Sequence, residues 1–189
     1  MVFDVYGDMY LADYVGHKIF KLEMSTKTLS VHAFEPHMNQ PNDLAIMQNG
    51  TLFASDPNWS NQTGQLWRVD TDGKTTLLEE GMGTTNGLEV SPDERTLYVN
   101  ETVQQRIWSY DIDKLGNLSN KRLFYQFREF LLDGMRCDVM GNLFVTRYSG
   151  SSITVLSPKG DHLCDIPLLG NNCTNLAFGG KDGRTCFIT

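Results

Sequence analysis

The chain has 189 residues, of which 40% are hydrophobic and 21% charged, with a net charge of -7. That length supports one core and little more. The acid excess, with no cluster of Lys and Arg, excludes a nucleic-acid partner, and no apolar run approaches the ~18 residues a membrane span needs.

The first residues, "MVFDVYGDMYLADY", carry neither a basic region nor a long apolar stretch, so no signal peptide is expected there. Cys137, Cys164, Cys173 and Cys186 form no CxxC pair. They predict free thiols in a reducing compartment, the cytoplasm, and no zinc site.

Taken in chain order, the sequence is a series of short aromatic and β-branched runs separated by Gly, Asn and Asp. "GDMYLAD", "HKIFKLE" and "LSVHAF" come first, then "GTLFASD", "GQLWRVD" and "KTTLLEE". "RTLYVNE", "RIWSYDI" and "KRLFYQF" follow, then "GNLFVTR", "SITVLSP" and "HLCDIPL", and finally "GRTCFIT". These read as strands, and no segment holds a helical period. A further strand opens each set, in "QPNDLA", "TNGLEV", "LDGMRC" and "TNLAFGG".

The openings repeat Asn42, Asn86, Asp133 and Thr174 at spacings of 44, 47 and 41 residues. Four strands recurring about every 45 residues mark a β-propeller, all-β, with one blade per repeat. The blades are drawn at 1–36, 37–80, 81–128, 129–169 and an incomplete 170–189. The first is clipped at its opening strand and the last stops at its second, so a partial propeller of four blades and the start of another is expected. Trp59, Trp67 and Trp108 are assigned to packing between blades.

Asn86-Gly87 and Asp133-Gly134 have the composition of hairpin turns. Two features argue otherwise: they lie at the crossing into a new blade, ahead of its first strand, and Asn42 shares their register while being followed by Asp43. First strands line the central channel of a propeller, so these positions converge on its axis. Two amides and a carboxylate at one spot resemble an oxygen cage for a hard cation such as calcium. Asp43 is placed beside substrate or behind the ligands. Asp13, Asp56, Asn100, Glu101 and Arg147, at the ends of second strands, are candidates for the pocket rim. Arg147 is the cation suited to a carboxylate or a hydroxyl-rich product. "DTDGK" (Asp70 to Lys74) lacks the Glu that closes an EF-hand loop and is read as a turn.

"QPNDLA", "TNGLEVSPD", "LDGMRCD" and "NLAFGG" together resemble the six-bladed propellers of the gluconolactonase and regucalcin (senescence marker protein) group, and more distantly diisopropyl fluorophosphatase. The resemblance implies a divalent metal in the channel, held by a Glu, two Asn and an Asp, and a small lactone as substrate. Asn42, Asn86 and Asp133 match the two Asn and the Asp. The Glu would belong to a blade ahead of the first one here, and Gln40 stands near where regucalcin-like members carry a substrate-contacting Arg. The implied activity is a calcium-dependent lactonase in which Asp133 is metal ligand and either base toward water or, as the likeness to the phosphatase implies, nucleophile. An esterase or organophosphate hydrolase on the same site, and a non-enzymatic binding propeller, are the alternatives.

Overall fold

A computed structural model describes residues 1–189. It contains strands and turns and no helix. The eighteen strands form five antiparallel sheets, each joined in chain order. Blade one holds β1 (Val2–Phe3), β2 (Met9–Asp13), β3 (Lys18–Glu23) and β4 (Thr28–Phe34). Blade two holds β5 (Leu44–Ile46), β6 (Leu52–Asn58), β7 (Thr63–Val69) and β8 (Thr75–Met82). Blade three holds β9 (Thr85–Val90), β10 (Thr96–Glu101), β11 (Arg106–Ile112) and β12 (Leu118–Gln126). Blade four holds β13 (Leu131–Cys137), β14 (Leu143–Tyr148), β15 (Ser152–Leu156) and β16 (His162–Pro167). A two-stranded sheet of β17 (Leu176–Gly179) and β18 (Thr185–Ile188) ends the chain. This is the partial propeller expected from the repeat.

Burial follows position in the blade. The second strands β6 and β10 are buried along almost their whole length, since a neighbouring sheet covers each face. The outermost strand of blade four, β16, is exposed throughout. Apolar side chains therefore gather between blades. Leu44, Leu52 and Ala54 of blade two close on Tyr10, Ile19 and Ala33 of blade one. Ala45, Phe53 and Leu66 close on Leu88, Leu97 and Val99 of blade three. Tyr98 and Ile107 close on Leu132, Met135 and Val145 of blade four. A fully buried Leu contributes roughly 1.5–3 kcal/mol, so these seams carry most of the stability.

Tight turns join the first and second strands. In blade four the Asp138 carboxylate accepts from the N–H groups of Met140 and Asn142, both at 2.9 Å. Gly141 there has φ +82°, a left-handed conformation that a Cβ would strain. Such turns fix the register of the strands that face the axis.

Candidate active site

The first strands stand side by side around the axis, with β9 against both β5 and β13. Asn86 and Gly87 lie within β9, and Asp133 and Gly134 within β13, so they are part of the strands and not ahead of them. The reason is a bulge in each: pairing slips between Val99 and Glu101 opposite β9, and between Leu132 and Met135 in β13, and then resumes. Only Asn42 precedes its strand. Neither Gly87 nor Gly134 has a positive φ, so neither serves a turn. They allow close approach instead. A Cβ on Gly87 would run into the carbonyl oxygen of Asp133 and lie 3.0 Å from Gly134 Cα, and one on Gly134 would meet the Asn175 amide.

This approach brings the three register residues together. Asn42 Nδ2 donates to Asn86 Oδ1 at 2.8 Å, and Asn86 Nδ2 donates to the Leu132 carbonyl at 3.4 Å, beside Asp133. The backbone is fixed on both sides, by Asn42 N–H on Ser55 O at 2.9 Å and Gly134 N–H on Thr174 O at 2.7 Å. Burial, with the Asp43 carboxylate nearby, pushes the Asp133 carboxyl up to about 7; the Asn86 amide and the Gly134 N–H pull the other way. Asn100 supports the same strand, its Nδ2 donating to Asp133 O at 2.6 Å, while its Oδ1 is buried without a partner.

A charged layer backs this group. Asp43 accepts from Leu44 N–H at 2.9 Å and, across the blade boundary, from Leu88 N–H at 3.4 Å. Arg136 Nη1 lies 3.5 Å from Asp43 Oδ2 and 3.6 Å from Glu89 Oε2. Burial pushes Glu89 up to about 7, against the pull of the Arg136 charge and the Cys137 N–H. Arg136 and Glu89 escaped notice in the sequence. Their signal was a charge three residues after Asp133 and Asn86, inside strands otherwise apolar.

The second-strand ends fall into place differently. Asp56 is fully buried and accepts from the N–H groups of Asn39 at 2.9 Å and Gln40 at 2.6 Å, which shapes the approach to Asn42. Asp13 accepts from Val15 and Gly16 N–H at the end of β2. Glu101 is bound by Arg106 and Trp108. Arg147 is 8% exposed, its guanidinium carbon 3.8 Å from the Phe127 ring centre. A cavity of about 650 Å³ opens against this layer, between Ala45, Glu89, Val90, Arg136, Cys137 and Phe178. None of Asn42, Asn86 and Asp133 lines it.

No three His, Cys, Asp or Glu side chains cluster as a metal site. The donors that do converge are amide and carboxylate oxygens, the hard ligands that suit calcium and similar ions. Asp43 and Glu89 face one guanidinium, and the buried Asp133 carboxyl is a further acid near Asp43, so the channel holds an excess of carboxylate that a cation would offset. The residues present fit a divalent cation.

Comparison with known proteins agrees with this architecture. A gluconolactonase from Zymomonas mobilis is 32% identical over 209 aligned positions, covering 97% of this chain and 58% of that protein. A pentonolactonase from Haloferax volcanii is 29% identical over 151 positions, covering 78% and 52%. The chain thus spans about half the length of the curated relatives it matches. Among solved structures, a gluconolactonase from Xanthomonas campestris superimposes with a TM-score of 0.86 at 23% identity, covering 99% of this chain and 67% of that one. The calcium-binding protein regucalcin from Agrobacterium tumefaciens gives 0.87 at 22% identity, covering 99% and 65%. With residues 2–189 matching its model, the chain belongs to the SMP-30/gluconolactonase/LRE-like family.

Proposed function

We propose that this chain carries the hydrolytic site of a metal-dependent lactonase acting on a sugar lactone or a close relative. The observation behind this reading is the approach of Asn42, Asn86 and Asp133, with the Asn42 amide 2.8 Å from Asn86 Oδ1. The names of the relatives, gluconolactonase and pentonolactonase, supply the substrate class.

Asn42, Asn86 and Asp133 would hold calcium or another divalent cation. Bound there, the cation would supply a Lewis acid for the lactone carbonyl. Asp133 is the base. Its carboxylate, beside the Asn86 amide, is the group placed to take a proton from water. The water oxygen adds to the carbonyl carbon, the ring C–O bond breaks, and the proton held by Asp133 passes to the departing alkoxide, leaving an open hydroxy acid. Asn100 keeps this base in place through the Asp133 backbone.

The test is hydrolysis of glucono-δ-lactone by the purified chain with calcium, with a chelator, and in Asp133→Asn. A calcium-dependent rate lost in the variant supports the reading. A rate that survives both chelator and substitution would sink it.

A further inference from the structure

Near the end of the second strand in blades two and three an acid acts as a clamp, holding the indole N–H of the third strand. In blade two Asp56 takes the N–H groups of Asn39 and Gln40 and the indole N–H of Trp67, the last at 3.1 Å. In blade three Glu101 takes the indole N–H of Trp108 at 2.9 Å. The two indoles are equivalent: Trp67 pairs with Ala54 and Trp108 with Val99, each two residues before the acid.

Blade four reverses this arrangement. Its clamp position is Arg147, and Thr154, paired with Val145, stands where the indole stands elsewhere. The guanidinium donates to the Glu129 carbonyl of the incoming connection, and Nη1 donates to Thr154 Oγ1 at 3.2 Å. Thr154 in turn donates to Asp165 Oδ1 at 2.6 Å, so that carboxylate is one hydroxyl removed from Arg147. Arg147 Nε is buried with no acceptor. Burying a cation without an anion is costly, and the Phe127 ring beneath it offsets only part of that. A cavity of about 420 Å³ opens beside Thr154, with Arg147 in its lining, Arg128 at its exposed edge, and Tyr125, Glu129 and Asp165 around it.

We infer that this cavity binds a small hydroxylated carboxylate, separate from the Asn42–Asn86–Asp133 group. The carboxylate takes the place of the acid that the other blades carry, accepting from the guanidinium groups of Arg147 and Arg128. Hydroxyl groups on the ligand donate to Asp165 and Glu129. The cavity shares no lining residue with the three register residues, yet Arg147 pairs with Leu132, next to Asp133. A ligand seated there bears on the strand that carries the proposed base.

The experiment follows the Arg147 Nε–H resonance of the ¹⁵N-labelled chain, assigned through its backbone. Sodium gluconate, sorbitol and inorganic phosphate are titrated at constant ionic strength. Gluconate is expected to shift this resonance saturably and sorbitol to leave it unmoved. Arg128→Ala, an exposed change that keeps the fold, should weaken gluconate at least about tenfold through loss of a charge-assisted contact. No gluconate shift, or an equal response to sorbitol, overturns the inference. Phosphate binding as tightly as gluconate overturns the ligand class in favour of a bare anion site. Loss of the gluconate shift in Asp133→Asn would place the ligand in the active site instead. Failure of lactone hydrolysis leaves each of these expectations unchanged.

Discussion

Replacing Arg136 with Met is the sharpest test of the charged layer. The guanidinium stands between Asp43 and Glu89, whose side chains are only 6% and 17% exposed. Breaking such a pair costs about 3–5 kcal/mol when the surviving charge has no other partner. Glu89 can escape that cost by taking a proton. In the native protein its carboxyl already sits at about 7 against an ordinary 4.5, which corresponds to about 3 kcal/mol between its two protonation states. The sign follows from the direction. A raised carboxyl favours the protonated form in the folded state, so the folded chain binds the extra proton and stability falls as pH rises from 4.5 through 7. Removing Arg136 raises the carboxyl further and extends that fall to higher pH. Arg136→Met should therefore be mildly destabilised at pH 5.5 and strongly at pH 8, read from urea midpoints with an unchanged slope. An equal loss at both values would show that Arg136 acts by packing alone and that Glu89 is not held by its charge.

Calcium at about 100 times its dissociation constant should stabilise the chain by about 2.7 kcal/mol in a thermal scan, and Asn42→Ala or Asp133→Ala should abolish the rise. A rise that persists in both variants would place the ion elsewhere. Gly87→Ala should destabilise by roughly 1–3 kcal/mol, because the added methyl meets the Asp133 backbone, which cannot retreat. Gly134→Ala should cost less, since it meets the movable Asn175 amide; denaturation midpoints in the opposite order would refute the close-approach account.

Much of this molecule was legible before its coordinates. Strand identity and blade period come from local alternation and turn composition, so "GTLFASD" and "GNLFVTR" could be aligned by eye and fell on equivalent strands. The register of Asn42, Asn86 and Asp133 was visible for the same reason. The role of Gly87 and Gly134 was not: a turn glycine and a close-approach glycine look alike until the neighbouring strand is in place. Arg147 illustrates the deeper gap. Sequence gives the position of a residue along a strand, but whether its side chain meets solvent or the next blade depends on how two sheets sit together. Arg136 was hidden by the same relation, since its partners Asp43 and Glu89 come from two other blades.

The seams between blades carry a consequence for how such a chain changes over generations. Leu88 of blade three packs with Phe53 of blade two, and Leu132 of blade four with Ile107 of blade three. Each half of a seam is therefore encoded well away in the chain from the half it must fit, 35 residues in the first case and 25 in the second. A mutation in one blade is answered by a compensating change in its neighbour rather than within its own repeat. Copies of one ancestral blade would then drift apart from one another while every adjacent pair stayed matched, so what is inherited intact is the junction and not the repeat.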